Sequence, residues 1–288
     1  MQAIKVIIKR IYKSVWEYKE KYPIPAVTGP RQSCKTTLLK AFLPNYRYLS
    51  LENPDAQYFV FNDPNGFLIE YNDEEISDEL QQAPALFSYI QTLVDSRANK
   101  MVGFILSGSQ NFHLICRITQ SLEGWVAILK LLPLDIQKLK EANLLADDPI
   151  DQLIHGFYTG ICGQKIPSSV FYSDYIQTYV NRDVTELLWI QDIRQFQNFL
   201  SLWAARADQL LNLNALGNEA GINQTITKAW LSALEASYIT FQLYPFHENF
   251  NKRVIKTPKF YFNDTGLLCH LLHINKWEQF LTHRVKGA

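Results

Sequence analysis

Apolar positions in the first half of the chain come in short blocks separated by stretches with helical spacing. Ile24 to Val27 is an apolar run that enters the loop Val27-Thr28-Gly29-Pro30-Arg31-Gln32-Ser33-Cys34-Lys35-Thr36-Thr37. Leu38, Leu39, Ala41 and Phe42 follow it at helical spacing. Tyr46 to Leu51 alternates as a strand does and stops at Glu52-Asn53-Pro54. Asp55 to Tyr71 is helical in pattern and is broken by the turn signal Asp63-Pro64-Asn65-Gly66. Glu74-Glu75-Ile76-Ser77 is a weak strand candidate that runs into Asp78-Glu79, and Pro84 begins an apolar-periodic helix to about Ala98. Met101 to Leu106 reads as a buried strand, a helix over 111–122 follows, and Val126 to Leu132 is a further strand. Strands separated by helical patterns, five times over, predict a parallel α/β sheet. Ligands bind such sheets at the carboxyl ends of the strands, where the Gly29 loop, Asp78 and Ser109 fall.

Either side of this core the pattern differs. Residues 2–21 read as an amphipathic helix with Ile4, Ile7, Ile8, Ile11, Val15 and Trp16 on one face. Residues 134–170 are irregular and carry the loop signals Asp147-Asp148-Pro149 and Cys162-Gly163-Gln164-Lys165-Ile166-Pro167. Helices are predicted over 172–189, 193–207, 211–220 and 224–237, the last two joined by Gly221-Ile222-Asn223. Strand-like runs at 238–243 and 259–262 then bracket a polar loop with Asn249, Asn251, Lys252, Arg253 and Lys256. Helix, turn, helix and hairpin together outline a winged helix-turn-helix. The predicted organisation is an N-terminal helix (1–22), a phosphate-loop core (23–135), a connecting segment (136–170), a helical domain with the winged part (171–268) and the start of a further domain (269–288).

Composition narrows the chemistry. At 288 residues the chain can bury two cores. Lys and Arg number 28 against 28 Asp and Glu, so bulk charge draws the chain to neither nucleic acid nor an anionic membrane. Cys34, Cys116, Cys162 and Cys269 lie far apart without metal-ligand spacing, and the six histidines are scattered. No segment approaches about 18 consecutive apolar residues, so the expectation is a soluble, cytoplasmic protein with no membrane partner. Thr225, Thr227, Lys228 and Trp230 on the last helix of the winged part are candidates to face a DNA groove. The modest basic content leaves a protein partner equally open, and an oligomer is compatible with either.

The loop from Gly29 carries the strongest chemical signal. A strand, a Gly-bounded turn, Lys-Thr and an apolar helix form the usual cradle for nucleotide phosphates. Gly29, Arg31, Gln32, Ser33, Cys34, Lys35, Thr36 and Thr37 are the candidate ATP-binding residues. Lys35 offers its charge to the β- and γ-phosphates, and Thr36 offers its hydroxyl to Mg²⁺. The plainer alternative is a strand-turn-helix corner that carries Lys-Thr-Thr. Asp78 and Glu79 are the candidate acidic pair, Asp78 for the Mg²⁺ shell and Glu79 for polarising the attacking water. Two exposed carboxylates at an acidic helix start would have the same sequence. Ser109, after an apolar strand, is either a polar sensor near the γ-phosphate or a helix N-cap.

With Asp78-Glu79-Leu80-Gln81, Leu106-Ser107-Gly108-Ser109-Gln110-Asn111 and Val126 to Leu134 in order behind the loop, the chain resembles prokaryotic AAA-type ATPases that carry the domain of unknown function numbered 4143. Tyr175-Ile176-Gln177-Thr178-Tyr179 with Arg182-Asp183-Val184, the run Trp230 to Ile239, and Lys259 to Leu268 extend the likeness over nearly the whole chain from about residue 20. The resemblance implies an ATP-binding core, a winged-helix-like middle and a nuclease-like last domain. It assigns Lys35 and Thr36 to phosphate and Mg²⁺, Asp78 and Glu79 to the acidic pair, and Ser109 to the sensor.

Four features depart from that family. Cys34 replaces the glycine before the lysine, where a side chain would crowd the phosphates. Glu75 and Ser77 interrupt the apolar strand before Asp78. Trp125 stands where the family usually shows arginine, and arginine fingers contribute roughly 10³–10⁵ in rate in other phosphoryl-transfer enzymes. The sequence stops at Lys286-Gly287-Ala288, where the family enters its last domain, so no nuclease activity is expected. Two readings follow: an ATP-binding ATPase with weakened Mg²⁺-dependent hydrolysis, or a non-hydrolysing relative that serves as a nucleotide-sensing or interaction module.

Overall fold

The structure is a computed structural model that describes residues 17–18, 21–71, 74–96, 103–109, 121–180, 192–246 and 257–284. Most of the predicted helices over 2–21 and 111–122, residues 181–191, Gln110, Cys116 and the polar loop at 247–256 lie outside the described residues. The chain divides into two compact units, residues 1–132 and 133–288.

The first unit is built on five parallel strands: β1 (Ile24–Thr28), β2 (Arg47–Ser50), β3 (Glu75–Asp78), β4 (Phe104–Gly108) and β5 (Val126–Lys130). Their order across the sheet is β2-β3-β4-β1-β5. Helix α1 (Lys35–Phe42) follows the Gly29 loop, and α2 (Pro54–Asn62) and α3 (Pro64–Glu70) meet at Asp63, which caps α3 through Gly66 N. A 3₁₀ turn over 80–82 leads to α4 (Leu86–Ser96). The predicted parallel α/β core is thus the observed one, including the weak strand before Asp78.

Residues in register on parallel strands share a face of the sheet. Ile24, Ala26, Leu49, Phe104 and Leu106 meet Leu68, Leu80, Phe87, Ile90 and Val94 in one apolar cluster. Glu75 lies opposite Phe104 in register, on that same face, and is fully buried. Ser77 donates to its Oε1 at 2.5 Å, while Oε2 has no protein partner. The other face carries Tyr48, Ile76, Asp78 and Ser107.

The second unit opens with three short helices where the sequence reads as an irregular connection: α5 (Ile136–Glu141), α6 (Pro149–His155) and α7 (Thr159–Gln164). The loop signals there mark their ends, since Asp148 caps α6 and Lys165 ends α7 in the left-handed region. Then come α8 (Ser168–Tyr175), which continues as a π-helical turn to Val180, α9 (Ile193–Ala204), α10 (Leu213–Ala220) and α11 (Gln224–Ala236). An antiparallel hairpin, β6 (Thr240–Leu243) and β7 (Lys259–Phe262), and helices α12 (Thr265–Leu271) and α13 (Trp277–Thr282) complete it. Phe196, Phe199, Trp203, Leu216, Trp230, Leu234 and Phe260 form its core together with Tyr158 and Tyr172.

Asp264 is the buried polar tie of this unit. Its Oδ1 accepts from Tyr172 OH at 2.5 Å and Leu267 N at 2.8 Å, and its Oδ2 accepts from Phe157 N at 2.8 Å. Gly156 (φ 80°) and Gly266 approach so closely there that a Cβ on Gly266 would lie 2.7 Å from Gly156 Cα. Burial raises the Asp264 pKa while these donors oppose the shift.

Burial pushes Glu75 from an ordinary 4.5 up to about 7, against the opposing pull of Ser77 and Arg47. Between those values the folded chain binds more protons than the unfolded chain, so stability falls as pH rises through this window. Urea denaturation at pH 5 and pH 8 should show a loss of about 2.5 kcal/mol from this group. Glu75→Gln should remove most of that slope.

Candidate nucleotide-binding site

The predicted site residues gather at the carboxyl ends of β1, β3 and β4. Gly29 ends β1 at φ 158°, and a Cβ built there would lie 2.1 Å from the backbone oxygen of Leu131. No larger residue fits, which accounts for the glycine. The loop then turns through two non-glycine residues in the left-handed region, Gln32 (φ 63°) and Cys34 (φ 64°). Cys34 occupies the N-cap of α1 with ψ 29° and makes no side-chain cap. Sequence reasoning wanted glycine there because of the phosphates; the backbone conformation is a second, independent reason. An L-residue held in that region is destabilised by roughly 1–2 kcal/mol.

Lys35, the first residue of α1, is 6% exposed, and its Nζ donates to Gly29 O and Pro30 O at 2.9 Å each. Its charge therefore sits within the loop. Arg31 and Cys34 are half-buried, Ser33 is buried, and Gln32 and Thr37 are exposed.

Thr36 reaches the acidic pair directly. Its hydroxyl donates to Asp78 Oδ2 at 2.6 Å, and Tyr48 OH donates to the same oxygen at 2.8 Å. Asp78 is the last residue of β3 and only 5% exposed, so it is not part of an exposed acidic helix start. Glu79 leaves the strand in the left-handed region (φ 56°). Its Oε2 accepts from Ser109 N at 3.2 Å and from Gln81 Nε2. Ser109 is thereby brought beside Glu79. Its neighbour Asn111 lies outside the described residues.

Three buried hydroxyls at this end of the sheet, on Ser33, Ser107 and Ser109, have no protein hydrogen-bond partner. Buried polar groups are normally satisfied, so these three hydroxyls are available to a polar ligand. A lysine, an alcohol beside a carboxylate and orphaned hydroxyls suit a phosphate chain with a divalent cation. Among the described residues no cluster of three or more His, Cys, Asp or Glu could hold a metal by itself.

Trp125 stands just before β5. Its side chain packs against the apolar cluster of the first unit, and its carbonyl accepts from Ile24 N at 3.2 Å. Two residues at the site escaped sequence reasoning. Tyr48 was legible only as one position of an alternating strand. Gln81 was visible in the motif Asp78-Glu79-Leu80-Gln81 but carried no assigned role.

In the second unit the winged outline is present in α10, Gly221 (φ 69°), α11 and the β6–β7 hairpin. Two expected groove residues are corrected. Thr227 is fully buried with its hydroxyl on Asn223 O at 3.0 Å, and Trp230 stacks edge-on against Phe196 and Phe199. Thr225 and Lys228 are exposed. No helix among the described residues is long and apolar enough to cross a membrane.

Comparison with known proteins agrees with the geometry. Residues 21–140 match the family described as an AAA domain. Residues 146–278 match a domain of unknown function numbered 8612, where the sequence resemblance pointed to the one numbered 4143. Uncharacterised proteins from Mycobacterium bovis and Mycobacterium tuberculosis are each 30% identical over 258 residues, which covers 88% of this chain and 57% of theirs. The chain therefore spans a little over half the length of these relatives. A Walker-type ATPase of Pyrococcus abyssi shares the fold, with a TM-score of 0.56 at 15% identity over 91% of this chain and 95% of that one. Residues 21–140 are thus similar to an AAA domain, and the fold is a parallel α/β core followed by a helical region with a small hairpin.

Replacing Cys34 with glycine removes the left-handed penalty and adds back some unfolded-state entropy. Cys34→Gly should raise stability by about 1 kcal/mol, read as an increase in the urea midpoint at constant slope.

Proposed function

We propose that the chain binds ATP with Mg²⁺ at the Gly29 loop and hydrolyses it slowly. The observation that carries this reading is the 2.6 Å bond from Thr36 to Asp78. It brings the alcohol of the phosphate loop and the carboxylate of β3, residues 42 apart in sequence, to one point. Gly29, Arg31, Gln32, Ser33, Cys34 and Thr37 shape the cradle, and Lys35 exchanges two loop carbonyls for phosphate oxygens. Thr36 and Asp78 hold the cation, whose bound form neutralises phosphate charge and screens the leaving group. Glu79, fixed by Ser109 N and Gln81, orients and polarises the water. Slow turnover follows from Trp125, which supplies no positive charge where the family usually has an arginine.

Purified chain should bind a fluorescent ATP analogue only weakly without Mg²⁺ and more tightly with it. Lys35→Ala should abolish binding. Glu79→Gln should keep binding and reduce turnover by about 10²-fold or more. Binding that survives Lys35→Ala would retire the reading. Binding without turnover in the unmodified chain would favour the non-hydrolysing, nucleotide-sensing alternative.

A second reading concerns DNA. It is supported by the helix-turn-helix of α10 and α11 followed by a hairpin, with Gln224, Thr225 and Lys228 exposed on the first turns of α11. Lys259 at the base of the hairpin is already engaged by Asp208 at 2.9 Å, so it is less available to phosphates. Affinity for a labelled duplex should therefore be weak and should fall as salt rises. Lys228→Ala should lower it further and flatten the salt dependence. A duplex affinity untouched by Lys228→Ala would assign the face to a protein partner instead.

A further inference from the structure

Tyr48 lies on β2, next to β3, in register with Ile76 and on the face that carries Asp78. Its hydroxyl shares Asp78 Oδ2 with Thr36, at 2.8 and 2.6 Å. Each carboxylate oxygen has two lone-pair positions, so these two donors saturate Oδ2. Oδ1 accepts one longer bond, from Glu79 N at 3.2 Å, and keeps capacity. The Tyr48 ring is half-buried and lies beneath Lys40, whose Nζ is 3.4 Å from the ring centroid. Such a cation–π contact, with burial, fixes the ring in place. A phenol is protonated throughout the physiological pH range, so the hydroxyl is a donor.

We propose that Tyr48 is a positioning residue for the divalent cation of this site. Together with Thr36 it occupies Oδ2 of Asp78, stops the carboxylate from rotating, and reserves Oδ1 for the water shell of the cation. Thr36 can serve both partners at once, because its proton goes to Asp78 while its oxygen lone pairs remain free for the metal. Tyr48 acts through Asp78, to which its hydroxyl donates. The inference rests on the ATP-site reading and deepens it, since it concerns metal dependence rather than nucleotide recognition.

The test is a Mg²⁺ titration of the full chain with a fluorescent ADP analogue, using the unmodified protein, Tyr48→Phe, Asp78→Asn and the double variant. Phenylalanine preserves the ring, its burial and the Lys40 contact, and thermal unfolding without nucleotide reports that the fold is kept. Removing a group that orients a metal ligand typically weakens the metal about 10-fold or more. The Mg²⁺ concentration for half-maximal binding should therefore rise about tenfold in Tyr48→Phe, while affinity measured in EDTA stays unchanged. In the Asp78→Asn background the same substitution should have no further effect. Coincident curves for the unmodified chain and Tyr48→Phe would overturn the proposal. An equal loss of affinity in EDTA, or effects that multiply in the double variant, would overturn it too, because a general structural role would then explain the change. If the unmodified chain shows no Mg²⁺-dependent binding at all, the nucleotide-site reading fails and this inference falls with it.

Discussion

The hydroxyl of Thr36 and the carboxylate of Asp78 meet across the end of β4, the strand that separates β1 from β3. Adjacent strands lie about 4.8 Å apart, so the two backbones stand roughly 10 Å from each other and only side chains can close the gap. That single bond depends on everything beneath it. The register that places Asp78 opposite Ser107 sets how far β3 projects, and the fit of Gly29 against Leu131 O sets where α1 begins. A slip of one residue in β3 would turn Asp78 into the apolar cluster and bring Ser77 to the ligand side.

The same strand carries the conflict between stability and site. Strands buried on both faces in parallel sheets usually read as continuous apolar runs. β3 instead holds Glu75 inside a cluster of leucines and phenylalanines, and one of its carboxylate oxygens has no protein partner. Desolvation there makes the neutral acid the preferred form over a wide pH range, and Ser77 supplies the local hydrogen bond. The polar pair lies on the opposite face from Asp78, so it interrupts the hydrophobic pattern without displacing the acidic pair.

How much of this was legible in the chain varied with the range of the interactions. The strand-loop-helix around Gly29, the strand ends and the break at Asp63 were local patterns, and they correspond to observed elements. β3 was the weak case because Glu75 and Ser77 obscure its periodicity; neighbouring strands, not its own propensity, hold it in the sheet. Cys34 was flagged for its side chain, whereas its left-handed backbone is a property no single sequence displays. Tyr48 could not be found because its contact with Asp78 joins strands 30 residues apart in the chain. The helices over 136–164 were hidden by their shortness, with caps and loop signals dominating the pattern.

The contacts of Asp264 bear on where this protein can be divided. Its partners Tyr172 and Phe157 lie 92 and 107 residues earlier in the chain, and both precede the helix-turn-helix. A fragment that began just after residue 172 would contain all of α9 to α13 and the hairpin, and would still lack two of the donors that satisfy a buried carboxylate. It would also lose Tyr158 and Phe171 from its core. The segment from α9 to α13 is therefore not a detachable module: the buried carboxylate that caps α12 takes donors from α8 and from the turn after α6. Closing a loop of that length also makes assembly of this unit a long-range event, so its last helices reach full stability only once the segment from residue 155 to residue 172 is in place.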